Sequence, residues 1–413
     1  MNTILLRVRR GLKTSWIWKA GLLWCGCLLY MLFQGGKTPV MLLTMMTILM
    51  VYWGLSSWIG LSTIRGMRSL ALDGTHGMQM QAGDQVHVKL HLELSGWMPH
   101  PYIVVREVLK RHNDESWIIE DSVIPKFRNG AELSFHTPPL ERGRYYFEET
   151  ECSSEDIFGI VKHVHLFSFP GEFQVLPRTV FIPYWQLFDR NSQLAGPETA
   201  QSLSRRETTQ INGVRDYVYG DRMSRIHWNA TAKTGTWKSK EFEHESLPKT
   251  VLVLDATSAN YATSADFELA VSTAASLLDY GSRERMSMGL CTLGREVRSY
   301  FPANSGADRQ RMIQHLVEVS SEGEGKITKH LIAKKELFQP GTFFVFISAS
   351  KGSEVLDVLQ WAKSKQMTPY HILTGDGRDN KKWPLILGRS GFKGIYVPNL
   401  QELPVSMRGG RHE

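Results

Sequence analysis

The chain has 413 residues, enough for two or three domains, and its 42% hydrophobic content excludes a disordered or collagen-like polypeptide. Four scattered cysteines without a C-x-x-C pair exclude a disulfide framework. The net charge is +7, but residues 1–64 hold six of the 48 basic residues and none of the 41 acidic ones. The rest of the chain is therefore nearly neutral, which argues against nucleic-acid binding.

Residues 1–64 are predicted to form a two-helix transmembrane hairpin. Residues 40–61 contain no charge, and a helix of this length crosses a hydrocarbon core of about 30 Å. Residues 20–33 form a shorter apolar run, which extends back to Trp16 if Lys19 snorkels to the interface. Basic residues flank the two outer ends, and only Lys37 lies between the runs. This distribution predicts a multi-pass membrane protein with both termini and the soluble domains in the cytoplasm.

A signal peptide is the alternative interpretation of the first run. No small-x-small cleavage site follows Phe33, and a second long apolar run comes directly after it. Both features favour the hairpin.

Residues 65–178 are predicted to form a β-sandwich. Apolar and polar residues alternate over residues 85–94, which is the pattern of a strand with one buried face. Further extended runs follow between turn sequences, at residues 102–109, 116–124, 131–136, 144–150, 160–167 and 173–176. Short strands at this spacing are typical of an immunoglobulin-like sandwich.

Residues 179–248 are interpreted as a connector that carries a dense polar motif. Its members are Arg215, Tyr217, Gly220, Asp221, Arg225, Ile226, His227 and Trp228. In one interpretation these side chains bind a ligand or a partner. In the other, Arg–carboxylate bridges and the indole of Trp228 clasp the connector to the next domain. A catalytic pairing of His227 with an acid also stays open, although no nucleophile lies nearby at a motif-like spacing.

Residues 249–400 are predicted to form a doubly wound α/β domain, followed by a tail at residues 401–413. Thr250–Asp255 is a continuous apolar strand that ends in an acid, as expected for a strand buried on both faces. Helical and extended patterns then alternate along the chain. Ligands of such sheets bind beyond the carboxyl ends of the strands, and Asp255 lies at one of them.

The sequence Asp255-Ala-Thr-Ser-Ala259 resembles the D-x-S-x-S metal site of von Willebrand factor A domains. Thr257 replaces the first serine, but Ala259 has no oxygen to offer, and the acid expected after the fourth strand is absent. Mg²⁺ requires several oxygen ligands in near-octahedral geometry. We therefore expect a degenerate metal site, with only Asp255 and Thr257 remaining, that holds no metal, and we expect no cofactor.

The whole layout resembles the bacterial Domain of Unknown Function 58 family, which combines an N-terminal hairpin, a β-sandwich, an arginine-rich GD…R-I-x-W motif and a degenerate von Willebrand A-like domain. The motif residues above except His227 carry the resemblance, together with Lys240-Glu241-Phe242-Glu243. Upstream, Arg142-Gly143-x-Tyr145 and Asp156-x-Phe158-Gly159 also match, with Ile157 at a usual proline position. Members of this family are commonly encoded beside MoxR-type AAA+ ATPases and membrane transglutaminase-like proteins. The resemblance therefore implies these two kinds of protein as partners.

The expected fold class is a membrane hairpin plus an α+β multidomain chain, in which an immunoglobulin-like β-sandwich precedes a doubly wound α/β, von Willebrand A-like domain. The first functional hypothesis is a membrane-anchored, non-enzymatic adaptor or scaffold that works with a MoxR-type AAA+ ATPase in envelope or protein-complex maturation. The alternative is a hydrolase or cell-wall-modifying enzyme that uses the Asp221/His227 cluster. The lack of a credible catalytic constellation favours the adaptor.

Overall fold

The computed structural model describes residues 2–59, 64–72, 79–94, 102–112, 115–125, 130–155, 157, 159, 162–168, 171–188, 211–218, 223–242, 249–323, 327, 331, 332, 334–377 and 380–408. The chain divides into two compact units, Met1–Val175 and Leu176–Glu413.

The first unit begins with two long helices, α1 (Asn2–Gln34) and α2 (Lys37–Ile59). They pack side by side, since Trp24 Nε1 donates a hydrogen bond of 3.0 Å to Thr47 Oγ1 and Ala20 packs against Trp53. Among the described residues, one stretch is long and apolar enough to cross a membrane, and it covers Lys37–Leu55 of α2.

The described residues of the first unit form nine strands, which pair antiparallel in two sheets. The smaller sheet has the order β1-β2-β5, with β1 at Ile64–Leu72, β2 at Val86–Leu94 and β5 at Ala131–His136. The larger sheet has the order β8-β7-β3-β6-β9, and β4 pairs with β3. Its strands are β3 (Ile103–Arg111), β4 (Ser116–Val123), β6 (Gly143–Phe147), β7 (Thr150–Glu155), β8 (Lys162–Phe167) and β9 (Glu172–Val175).

The two sheets of the first unit share one hydrophobic core. Alternate residues of β2, from Val86 to Leu92, contribute to the same cluster as Ile103 and Leu109 of β3. The prediction of a single strand over residues 144–150 was wrong, because β6 ends at Phe147 and β7 begins at Thr150. The exposed Glu148 and Glu149 separate β6 from β7, because these two charges are not buried in the core and the chain turns there.

A buried ion pair joins the two sheets. Arg68 Nη2 of β1 lies 2.6 Å from Glu107 Oε2 of β3, and the two side chains are only 2% and 1% exposed. Thr150 Oγ1 of β7 donates a hydrogen bond of 2.8 Å to Glu107 Oε1. The Arg68 guanidinium also lies 4.0 Å from the centre of the Phe147 ring. Removing either partner of such a desolvated pair would leave an uncompensated buried charge and destabilise the fold.

The second unit begins with an irregular segment, residues 176–188, that packs into the α/β core. Ile182 and Trp185 are fully buried, and the Trp185 ring lies edge-on to the rings of Tyr280 and Tyr370 at 6.0 and 6.3 Å. Most of this segment falls in the stretch that the sequence analysis interpreted as a connector.

A two-stranded antiparallel hairpin follows, formed by β10 (Ile211–Asp216) and β11 (Lys238–Phe242). A 3₁₀ turn at Met223–Arg225 and the short helix α3 (Trp228–Thr234) lie between the two strands in sequence.

The central element of the second unit is a six-stranded sheet of order β14-β13-β12-β15-β16-β17. Its strands are β12 (Thr250–Asp255), β13 (Met288–Leu293), β14 (Val297–Ala303), β15 (Phe343–Ser348), β16 (Thr368–Thr374) and β17 (Lys393–Val397). All neighbours pair parallel except β13 and β14, which pair antiparallel. The sheet is therefore mixed, with an antiparallel edge strand that the sequence analysis did not predict.

Both faces of this sheet are covered. Leu252 and Leu254 of β12 belong to one core, whereas Val251 and Val253 belong to another. The first core contains side chains of α4 (Ser264–Arg283), α5 (Gly306–Glu318) and α8 (Leu403–Met407), and the second contains side chains of α6 (Ser353–Ser364) and α7 (Trp383–Arg389). Helix α8 lies in the segment that the sequence analysis set apart as a tail.

Candidate functional site

The polar motif of the connector folds into a strand, a short helix and a returning strand. Within the hairpin, Asp216 lies opposite Lys238, and the Tyr217 N–H donates a 2.9 Å hydrogen bond to the Trp237 carbonyl. Helix α3 ends at Gly235, whose positive φ of 72° permits the left-handed turn into β11. This turn returns the chain so that Trp237 lies across from Tyr217.

Two residues of the motif hold α3 against β11. Ile226 is buried and forms an isolated bridge with Ser239. His227 is the N-cap of α3, and its Nδ1 accepts a 3.1 Å hydrogen bond from the Ala230 N–H. The His227 backbone N–H also donates to the Lys238 carbonyl at 2.8 Å. Since Nδ1 serves the helix cap, only Nε2 of His227 is left for proton transfer.

The remaining motif residues divide between surface positions and undescribed ones. Arg215 Nη1 donates to the Asp216 carbonyl at 3.2 Å, and Lys238 Nζ lies 2.5 Å from Asp216 Oδ1. Arg225 lies in the 3₁₀ turn. Gly220 and Asp221, the predicted acid partner of His227, lie outside the described residues. The ion pair seen on the hairpin is thus a Lys–Asp pair at the surface, a type that contributes little stability.

Three aromatic side chains beside the hairpin and at the start of α3 form a group, which we call the aromatic cluster: Tyr217, which is half-buried, and the exposed Trp228 and Trp237. The ring centres of Tyr217 and Trp237 are 5.6 Å apart, and those of Trp228 and Trp237 are 6.4 Å apart. Trp228 is 61% exposed and Trp237 is 47% exposed. Further exposed apolar side chains of the same region are Val214, Val218 and Met223. Trp237 is not among the residues predicted from the sequence, and Gly235, which ends α3 just before it, was the signal that could have indicated the returning strand.

The Asp255 carboxylate lies buried at the end of β12 and serves the loop that follows. Its Oδ1 accepts a hydrogen bond of 2.9 Å from the Thr257 N–H, and its Oδ2 accepts one of 2.7 Å from Asn260 Nδ2. The Tyr261 hydroxyl donates to the Asp255 carbonyl at 2.6 Å. Burial raises the pKa of Asp255, and the hydrogen bonds from Thr257 and Asn260 act in the opposite direction. Both carboxylate oxygens therefore have partners within the loop.

A second segment closes the loop after β12. The Gly323 N–H donates to the Ala256 carbonyl at 2.9 Å, and the Ser258 N–H donates to the Gly323 carbonyl at 3.2 Å. A Cβ atom at Gly323 would lie 2.8 Å from the Ala256 carbonyl oxygen, so this close approach requires glycine. In the part of the chain that the structure describes, no group of three or more His, Cys, Asp or Glu side chains could hold a metal ion.

A serine and a histidine that the sequence analysis did not single out meet inside the sheet. His371 Nε2 lies 3.2 Å from Ser348 Oγ, and Trp383 Nε1 donates a 2.9 Å hydrogen bond to His371 Nδ1. The indole donor makes Nδ1 an acceptor, so the proton of the neutral ring lies on Nε2. Burial lowers the pKa of His371 to about 3. Both side chains are fully buried, which gives a substrate no access to them.

The model of one protein family, described as Protein of unknown function DUF58, matches residues 213–341. The predicted family resemblance is confirmed. The matched segment contains the aromatic cluster and Asp255 and lies wholly in the second unit. No curated protein matches the chain.

Solved structures match parts of the chain at low sequence identity. Proximal thread matrix protein 1 from the mussel byssus is 13% identical, with a TM-score of 0.30, over 40% of this chain and 46% of that one. A von Willebrand factor type A protein from Catenulispora acidiphila is 11% identical, with a TM-score of 0.29, over 40% of this chain and 42% of that one. Each match thus spans less than half of the solved chain.

Proposed function

We propose that this protein is a membrane-anchored, non-enzymatic adaptor or scaffold and that the aromatic cluster is its docking surface for a partner protein. The observation that carries the proposal is the exposure of Trp228 and Trp237, side by side, within the segment that matches the DUF58 family. Tryptophan and tyrosine dominate the binding energy of protein interfaces, because burying their large rigid rings excludes much water at little entropic cost.

The side chains that could take part in catalysis are buried or are used in structural hydrogen bonds, and this favours an adaptor over an enzyme. His227 uses Nδ1 to cap α3, and Asp255 uses both carboxylate oxygens to hold its loop. The Ser348–His371 pair is buried, and a histidine whose pKa is about 3 is a weak base at neutral pH. No observation of the described residues favours the hydrolase alternative.

The anchor in this proposal is a hairpin of α1 and α2 that crosses the membrane twice and leaves both termini and the soluble parts in the cytoplasm. Its support is the apolar stretch Lys37–Leu55 and the packing of α1 along it. The hydrogen bond from Trp24 to Thr47 gives the indole N–H a partner that lipid would not supply, while the Thr47 hydroxyl itself donates to the Leu43 carbonyl. The two sheets with their common core are, in this proposal, an immunoglobulin-like sandwich that follows the anchor in the chain.

The proposed partners are a MoxR-type AAA+ ATPase and a membrane transglutaminase-like protein, in a role in envelope or protein-complex maturation. Support for them comes from the family resemblance. The aromatic cluster and the exposed side chains of Val214, Val218 and Met223 in the same region add apolar surface of the kind that marks protein interaction sites.

The experiment compares partner recovery from native membranes for the tagged full chain and two variants. The variant Trp228→Ala/Trp237→Ala removes the cluster. Leu385→Ala truncates another exposed apolar side chain of the same unit and serves as the matched control. We expect an AAA+ ATPase to be enriched over an unrelated membrane protein with the wild type and the control, and to be lost with the double variant.

Two results would contradict the proposal. One is the absence of any enriched ATPase with the wild type. The other is equal recovery with the double variant. Hydrogen exchange of the buried strand β12 should stay unchanged in the double variant, which separates a lost contact from a lost fold.

A further inference from the structure

In the loop that follows β7, the described residue Ile157 contacts the apolar helix α2. The Ile157 N–H donates a 3.3 Å hydrogen bond to the hydroxyl of Tyr52. Gly159 has a positive φ of 68° and supports a tight turn at this place. The side chain of Ile157 is nevertheless 66% exposed, although it is purely apolar. Ile157 lies within the Asp156-x-Phe158-Gly159 motif of the family resemblance, and the proposed adaptor function does not involve this motif.

The contact point lies at one end of the apolar stretch of α2. Tyr52 is close to the end of the Lys37–Leu55 segment, and its neighbour Trp53 packs against Ala20 of α1. At the same level α1 exposes Trp18 and Lys19. Tryptophan, tyrosine and snorkelling lysine are the residues that collect where the hydrocarbon core meets the headgroups. This end of the helix pair thus has the composition of a membrane interface.

The first of the two acidic residues of the loop, Glu155, is held by other protein groups, whereas Asp156 lies outside the described residues. Glu155 accepts a 2.9 Å hydrogen bond from the Tyr102 hydroxyl and lies 3.9 Å from Lys162. Its negative charge is therefore partly compensated next to the loop. What the described part of the loop presents outward is the apolar side chain of Ile157.

We propose that Ile157 inserts into the boundary between lipid headgroups and acyl chains and so fixes the β-sheets of the first unit against the bilayer surface. The inference rests on the proposed membrane hairpin. A lipid occupant fits best, because the hydrogen bond to Tyr52 holds the loop at the level of the aromatic residues that mark the interface. An isolated isoleucine needs no complementary pocket to be buried in acyl chains.

The experiment uses the full chain in liposomes, with the native cysteines replaced and an environment-sensitive fluorophore attached to single introduced cysteines. Position 157 is tested with Ile157→Cys. Ile118→Cys is the matched control, since Ile118 is an isoleucine of the same unit with 57% exposure. Met45→Cys reports the exposed middle of α2. Quenching by spin-labelled lipids measures the depth of each label.

We expect strong quenching at position 45, no quenching at position 118, and quenching at position 157 that corresponds to a depth of about 5–10 Å in the headgroup and acyl boundary. Quenching at 45 with none at 157 would overturn the loop insertion and leave the anchor intact. No quenching at 45 would overturn the membrane hairpin itself. Tyr52→Phe removes the hydroxyl and should reduce quenching at 157 alone, and an unchanged signal there would refute the positioning by Tyr52.

Discussion

Acidification should destabilise the second unit through His371. This imidazole is fully buried in β16, with Trp383 Nε1 donating to Nδ1 and Ser348 Oγ lying next to Nε2. A proton added to Nδ1 would face the indole N–H, so it would break the hydrogen bond and bury a charge. Burial accordingly lowers the pKa of His371 from 6.5 to about 3 in the folded chain.

The size of the effect follows from the difference in proton binding. Below pH 6.5 the unfolded chain binds a proton at this residue and the folded chain does not, so the free energy of unfolding decreases as the pH falls. The slope for one group is about 1.4 kcal/mol per pH unit. The loss is therefore about 2 kcal/mol between pH 6.5 and pH 5, and about 5 kcal/mol when the pH reaches the folded-state pKa. The stabilisation is fully present above pH 6.5.

Hydrogen exchange of β16 in the detergent-solubilised full chain measures this loss, once rates are corrected for the intrinsic effect of pH. The variant His371→Gln cannot titrate but keeps an amide that reaches towards Ser348. Other histidines contribute equally to both proteins, so the difference between the two pH profiles isolates His371. We expect the profile of the variant to be flatter below pH 6.5, and identical slopes in the two proteins would refute the reasoning.

Three further outcomes are expected. Glu107→Gln leaves the Arg68 charge buried without a counter-charge and should lower the free energy of unfolding by about 3–5 kcal/mol, measured by urea denaturation. A variant as stable as the wild type would show that the pair is not desolvated. Asp255→Asn should lose only about 1 kcal/mol, because its amide oxygen can still accept from the loop, and added Mg²⁺ should not raise the Tm. A Mg²⁺-dependent rise that disappears in this variant would mean that the site binds metal. For the topology, Gly36→Cys should react with a membrane-impermeant thiol reagent in intact protoplasts and Ser350→Cys only after lysis, native cysteines being replaced. Labelling of position 350 from outside would exclude cytoplasmic soluble domains.

Elements buried on both faces were the easiest to predict. The strand predicted at Thr250–Asp255 coincides with β12, because every residue of it is buried and the apolar run has no interruption before the acid. Strand β14 was missed, since an edge strand is half exposed and this one contains Pro302. Its sequence therefore has neither an apolar run nor a regular alternation.

Irregular segments and cross-strand contacts could not be predicted from the sequence, for a different reason. Ile182 and Trp185 are buried individually in a stretch that is neither helix nor strand, so no hydrophobic periodicity in the sequence predicts their burial. The motif identified Tyr217 and Trp228, but the position of their common neighbour Trp237 depends on the register of the β10–β11 hairpin. Pairing register depends on turn geometry and packing, which local composition does not encode.

The position of Arg68 restricts how this protein can be freed from its apolar helices. Strand β1 starts at Ile64, only a few residues after α2 ends at Ile59. A truncated chain that starts beyond Leu72 would lack β1 as well as α1 and α2. It would expose the edge of β2 and leave the buried Glu107 carboxylate without its Arg68 partner. A fragment without α1 and α2 that keeps the whole of β1 and this ion pair therefore has to begin between Ile59 and Ile64, and fragments that begin beyond Leu72 should precipitate on expression.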